Sequence, residues 1–305
     1  MNELVTDIKK LHEETLENLK SSKANNTLRA YKSDFRDFGA FCAKHGFNSM
    51  PTEPKVVSLY LTHLSANSKI STLRRRLVSI GVVHKLKGHY LDTKHPIIIE
   101  NLLGIKRING SYQKSKKPLL INELKLILNV IDEKEKNELK RVRNKSLILL
   151  GFSGGFRRSE LVNIEYDDLE FVDEGLKIFI KRSKTDQIGE GSIKAIPYFG
   201  NSDYCPVIKL QDWIKYKSIN SGTIYEISDK SVSLIIKKYA ILAGLDPSKY
   251  GGHSLRSGFA TAAAESGAEE RNIMAMTGHK TTQMVRRYIK EANLFKNNAL
   301  NKIKI

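Results

Sequence analysis

The chain has little sulfur chemistry to offer: two cysteines in 305 residues, Cys42 and Cys205, far apart and outside any CxxC or Cys/His ligand spacing. That excludes a disulfide framework and argues against a zinc site, and both cysteines read as packing residues. No run approaches the ~20 consecutive apolar residues that a membrane helix needs, and the acidic start from Met1 to Glu17 has none of the character of a secretory signal. The protein is therefore expected to stay in the cytoplasm of the cell that makes it. Internal repeats and low-complexity tracts are absent as well. Acid is the scarce charge, with 33 Asp and Glu against 51 Lys and Arg.

The resulting formal charge of +18 predicts a polyanionic partner. Nucleic acid is favoured over an acidic membrane, because no basic amphipathic helix is flanked by lipid anchors or aromatic belts. At 40% apolar and 28% charged residues the composition is globular. The length is generous for one core and suits two domains.

The pattern divides the chain into a helical domain over 1–109, a basic linker over 110–118 and a second domain over 119–305. In the first, Asn26 is a plausible N-cap for a helix over 27–44, where Leu28, Tyr31, Phe35, Phe38 and Phe41 recur at helical spacing and Gly46 stops the run. Pro54 opens a second helix, Ser71 caps a third over 72–87, and Pro96 opens a fourth to 108. Arg74, Arg75 and Arg76 sit together in the third. Three adjacent cations splay around most of a helix, so at least one is expected to face phosphate. The linker is polar, breaker-rich and basic, and its Lys114, Lys116 and Lys117 suit a tether that crosses a DNA backbone. Beyond it, helices are expected over 121–131 and 139–152, a β region over 169–172, 176–182 and 192–198 with a polar turn at 183–191, and helices over 207–217, 230–243, 253–265 and 269–277.

Two arginines stand in frames that suggest chemistry. Arg157 follows Gly154-Gly155-Phe156 and opens a short helix, while Arg256 follows His253 by three residues in the first turn of another, which puts both side chains on one face. Breaking a phosphodiester builds negative charge on the non-bridging oxygens, and a planar, permanently charged guanidinium fork binds two of them at once. Tyr288, in the stretch Thr277-Gly278-His279-Lys280-Thr281-Thr282-Gln283-Met284-Val285-Arg286-Arg287-Tyr288, supplies a hydroxyl. A free tyrosine has a pKa of about 10, so it needs a proton acceptor or a strongly cationic pocket.

These motifs resemble the tyrosine recombinase (phage integrase) family. Gly155-Phe156-Arg157-Arg158-Ser159-Glu160-Leu161 is similar to the family's Gly-x-Arg-x-Ser-Glu-Leu block, and His253-Ser254-Leu255-Arg256 to its His-x-x-Arg box. Thr277-Gly278-His279 meets the Leu-Gly-His box with threonine for leucine, and Tyr288 follows that histidine by the family's nine residues. Arg182-Ser183-Lys184-Thr185 resembles the element that carries the family lysine, with Lys181 and Lys194 as competitors. The resemblance implies a mainly α fold with a small β-sheet: a two-domain C-shaped clamp of a helical SAM-like core-binding domain and a mixed α/β catalytic domain. It further implies that Tyr288 is the nucleophile, His253 its proton acceptor, Lys184 the acid for the leaving 5′-oxygen, and Arg157, Arg256 and His279 the phosphate ligands, with Glu160 supporting a basic neighbour. Neither ATP nor a metal would be needed. The implied partners are double-stranded DNA with a specific site, three further copies on two DNA sites, and accessory proteins in some systems. The implied source is a bacterium or phage, and too few residues precede the first helix for a separate arm-site domain. The tail after 290, with Leu294, Phe295, Leu300 and Ile303, would dock into a neighbouring copy or onto its own domain. A type IB topoisomerase and a non-catalytic DNA-binding regulator of the same fold are the rival readings.

Overall fold

The computed structural model describes residues 8–11, 13–15, 17–18, 23–110, 115–181, 191–292, 301 and 303. It is mainly helical, and the chain divides into two compact units, Met1–Lys114 and Ser115–Ile305.

The first unit is built on α1 (Asn25–His45), α2 (Pro54–Ser65), α3 (Ile70–Leu86) and α4 (Pro96–Asn109). Both prolines sit at the first helical turn, where the missing N–H is one that no helix satisfies. The caps differ from expectation. α1 begins one residue before Asn26, with Thr27 and Leu28 donating to Ala24 O, and α3 begins before Ser71, with Thr72 and Leu73 donating to Lys69 O. Neither Ala24 nor Lys69 has a side chain that caps, so packing of the apolar faces sets these starts and local capping does not. Those faces meet in a core of Phe38, Tyr60, Leu61, Leu73, Ile80 and Ile98, all under 2% exposed.

In the second unit α5 (Ile121–Lys134) and α6 (Glu138–Ser153) precede a five-residue α7 (Arg158–Val162). An antiparallel sheet of β1 (Leu169–Val172), β2 (Gly175–Ile180) and β3 (Ser192–Pro197) follows in the order β1-β2-β3. Then come α8 (Pro206–Lys217), α9 (Asp229–Leu242), α10 (His253–Glu265), α11 (Glu270–Thr277) and α12 (Thr282–Ala292). The sequence pattern assigns no helix to α12; its hydrophobic content is low and Val285 is its buried residue. α6 runs through the centre, with Leu147, Ile148 and Leu150 fully buried.

Two close approaches join elements that carry the site. Gly258 on α10 lets the Leu119 backbone lie against the helix, because a Cβ there would stand 2.1 Å from Leu119 O. The end of the expected tether, residues 115–118, and Leu119 after it are accordingly bound to this unit: Lys117 N donates to Lys249 O at 2.7 Å and Leu119 N to Ser254 O at 2.9 Å. α12 packs through Val285, Tyr288 and Ile289 on Ala260, Ala264 and Ile273 of α10 and α11, which places the tyrosine beside the start of α10.

Candidate active site

Arg157 is delivered by a sharp turn at the end of α6. Gly155 lies in the left-handed region at φ 54°, and Phe156 folds back over Gly154 so closely that a Cβ on Gly154 would stand 2.0 Å from its ring. Arg157 then caps α7. Glu160 of that helix accepts from the Arg157 backbone N at 3.0 Å and from its Nη1 at 2.5 Å, so one carboxylate fixes both ends of the residue. Arg157 Nη2 reaches Gly278 O at 3.3 Å, tying this turn to the one that carries His279.

Arg256 is 1% exposed, an unusual position for a guanidinium. Its Nη1 donates to Gly155 O at 2.8 Å, while Nη2 is buried with no hydrogen-bond partner among the described residues. Burial, followed by repulsion from Arg157, pulls its pKa down to about 10. A buried, charged donor without a partner is costly, and its chemistry suits an anionic acceptor.

Tyr288 is half-buried, and its hydroxyl lies 3.3 Å from His253 Nε2. His253 stands at the rim; its pKa is lowered by loss of water around the ring and then by Arg256, Arg157, Arg158 and Arg287. A neutral imidazole at neutral pH can accept the phenolic proton. His279, its ring centroid 6.0 Å from that of Tyr288, is 9% exposed, and its pKa is pushed down to about 4 by burial and then by Arg256, Arg157, His253 and Lys194. Its Nδ1 lies 2.7 Å from Thr277 Oγ1.

Lys184 lies outside the described residues, and so does Lys114. Of the two competing lysines, Lys181 is held by Glu165 and by Asp168 at 2.9 Å, and Glu165 is the leading cause of its raised pKa. Lys194, on β3 opposite Ile178, is 6% exposed. Its ammonium lies 4.7 Å from the centroid of the Phe156 ring and donates to Gly154 O at 2.7 Å and to Met276 O. It links the Arg157 turn to the end of α11, while burial draws its pKa down to about 8. This bridging position has no signature in the sequence; alternation along β3 shows only that Lys194 shares the inward face with Ile196.

The residues expected to contact DNA have the following surroundings. Arg74 is exposed. Arg75 and Arg76 pair instead with the buried Asp34 of α1, at 2.6 and 3.3 Å, and Arg76 also with Asp37 at 2.7 Å. Lys116 donates to Ser248 O at 2.5 Å and Lys117 pairs with Glu123 at 2.6 Å.

The site thus gathers a tyrosine hydroxyl, an imidazole and several cations around a buried donor without a partner among the described residues. The Phage integrase family model matches residues 118–294 of this chain. The chain is 39% identical over 300 residues to an integrase/recombinase xerD homolog of Selenomonas ruminantium, across 93% of this chain and 87% of the relative. It is 25% identical over 301 residues to a tyrosine recombinase XerC of Staphylococcus saprophyticus, across 88% of each. In fold it is similar to the Tn1549 transposon integrase in complex with transposon right end DNA, with a TM-score of 0.64 at 14% identity over 94% of this chain and 98% of that one. It is also similar to a lambda integrase dimer bound to a core site, with a TM-score of 0.61 at 17% identity over 96% and 97%.

Proposed function

The chain belongs to the phage integrase family of tyrosine recombinases, and on that premise we propose that it breaks and rejoins DNA at a specific site through a 3′-phosphotyrosyl intermediate. The observation that carries the reading is the 3.3 Å approach of Tyr288 Oη to His253 Nε2 beside the buried, half-satisfied Arg256. His253 takes the phenolic proton as the Tyr288 oxygen bonds to phosphorus. The bond from phosphorus to the 5′-oxygen breaks, and Lys184 gives a proton of its ammonium to that oxygen, while the proton from Tyr288 stays on His253. Arg157 and Arg256 hold the non-bridging oxygens, whose charge grows in the transition state, and His279 donates a hydrogen bond to one of them. One phosphoester replaces another, so the reverse attack by a 5′-hydroxyl of a second strand reseals the DNA without an energy source.

Four protomers on two sites would make such an exchange complete. An apolar cavity of about 510 Å³ on the second unit, with Leu124, Leu149, Phe199, Phe259 and Met276 in its wall, suits the apolar tail of a neighbouring copy. Leu294 and Phe295 of that tail lie outside the described residues. The exposed Arg74 remains the proposed contact of α3 with DNA, whereas Lys116 and Lys117 would reach phosphate only by leaving their present partners.

Covalent capture tests the reading. Wild-type protein and Tyr288→Phe are mixed with host DNA fragments and denatured, and the protein-linked DNA is sequenced. Adducts at one recurring sequence that require Tyr288 support the proposal. Scattered adducts would favour a type IB topoisomerase, and selective binding without adducts a non-catalytic regulator.

A further inference from the structure

Where the family box has leucine, this chain has Thr277, and its hydroxyl is fully buried between two groups. Thr277 Oγ1 is 2.6 Å from Ile273 O, one turn back along α11, and 2.7 Å from His279 Nδ1. A hydroxyl has one proton. At 2.6 Å from a carbonyl oxygen, which can only accept, that proton must lie on the side of Ile273 O, because two unprotonated oxygens at this separation repel. Thr277 Oγ1 is then an acceptor toward His279, so Nδ1 must carry a hydrogen. The rotamer is not free to exchange the roles. Its methyl group lies against the Arg157 turn, where a Cβ on Gly155 would stand 3.2 Å from Thr277 Cγ2. Gly278, at φ 60°, closes the helix and turns His279 back over Thr277, with Gly278 N and His279 N both donating to Met274 O.

We propose that Thr277 is a positioning residue that holds neutral His279 with its proton on Nδ1, so that His279 can donate to the DNA phosphate from Nε2 only after taking up a second proton. The proposal rests on the recombinase reading for its consequence, though not for the tautomer. Phosphate oxygens accept and never donate, so an Nε2 lone pair facing them contributes repulsion in place of a hydrogen bond. The protein groups facing His279 disfavour a charge on it. Arg256, Arg157, Lys194 and a protonated His253 all oppose a charge on it, in keeping with its pKa of about 4 in the free protein, and Tyr288 contributes its neutral ring. A phosphate that gains negative charge as Tyr288 attacks favours the imidazolium. The second proton is therefore bound most tightly when it is needed, in the transition state, and comes from solvent. Leucine at this position has no acceptor to offer Nδ1 and leaves the tautomer to other neighbours.

The tautomer is read directly from imidazole nitrogen shifts by NMR on the DNA-free protein. Wild type is expected to show His279 protonated at Nδ1 and bare at Nε2. Thr277→Val keeps the shape but loses the acceptor, and is expected to move the proton to Nε2. Thr277→Ser keeps the hydroxyl and the wild-type pattern, and serves as the control for a variant weakened in folding. In parallel, adduct formation is followed against pH on a duplex recovered by the covalent capture described above. Above neutral pH the wild-type rate should fall by up to tenfold per pH unit, the slope of one obligatory proton, and this slope should flatten in Thr277→Val. Lys194 titrates in the same range in both proteins, so the difference between them belongs to His279. A wild-type Nε2–H tautomer, or the same tautomer in wild type and Thr277→Val, or equal slopes in the two, overturns the proposal. Absence of wild-type adducts would count against the recombinase reading and leave the tautomer result standing on its own.

Discussion

The protein holds two arginine clusters, and they are balanced in opposite ways. In the first unit Arg75 and Arg76 converge on Asp34, a carboxylate only 2% exposed that also accepts from Ser79 Oγ at 2.7 Å, and Asp37 adds a second negative charge to Arg76. In the second unit Arg157, Arg256 and Lys194 share one buried carboxylate, Glu160, and Arg256 Nη2 lacks even a neutral acceptor among the described residues. The same side chain is a strut where carboxylates saturate it and, on the function proposed above, a phosphate ligand where a donor is left over. Burial, and after it repulsion from neighbouring cations, depresses the pKa values of Arg256, His279 and Lys194.

The sharpest break in the comparison comes at the attacking atom. Tyr288→Phe should abolish covalent adducts, a loss of about 10⁴-fold or more, while leaving DNA affinity unchanged in a gel-shift titration. Arg256→Ala should lower the rate of adduct formation by about 10²–10³-fold with little change in melting temperature, since it removes a donor aimed at developing charge. Asp34→Ala should do the reverse. It strips the buried anion from Arg75 and Arg76 and should destabilise the first unit by about 3 kcal/mol in urea unfolding, with the chemistry of the second unit preserved. If Asp34→Ala abolished cleavage without loss of stability, the division into strut and binding group would be wrong.

Lys194 lies between the two cases, a cation held by carbonyls instead of a carboxylate. Its folded pKa of about 8 lies below the unfolded value of about 10.4, so the unfolded chain binds more protons between these values and stability should rise with pH across that window. Lys194→Met should remove this rise, worth at most about 3 kcal/mol, which melting temperatures from pH 7 to pH 10 would reveal. The smallest effect concerns assembly. Phe295→Asp should leave single-site cleavage within about twofold and reduce strand exchange between two sites, if the apolar cavity of the second unit receives a neighbour's tail.

Much of the site was legible because its residues sit in short local frames. Gly155 to Leu161 and His253 to Arg256 each lie within two helical turns, where spacing alone brings side chains together, and α10 begins at His253 as the pattern predicts. The long helices and the three strands were equally readable from their apolar periodicity. α12 was not, because its few apolar residues, Val285, Tyr288 and Ile289 on one face, are outnumbered by polar and charged neighbours such as Arg286, Arg287 and Lys290. Nor was the fate of Arg75 and Arg76. Adjacent cations on one helix suggest an external anion, and only the packing of α1 on α3 reveals that Asp34, more than 40 residues away in sequence, supplies an internal one. Residues 115–118 make a similar point: polarity suggests a tether, while the backbone hydrogen bonds of Lys117 and the following Leu119 to Lys249 and Ser254 are invisible in composition.

By itself the sequence determined the helical periodicity, the family, and which residue types stand in the family's motif positions. Those properties depend on neighbours within a turn or two of the chain. Tertiary structure decided which cations are neutralised, which donor of Arg256 stays open, and that Lys194 bridges the Arg157 turn to the end of α11. Each of these depends on contacts between residues distant in sequence, and electrostatic energy in a protein interior is set by such distances rather than by composition.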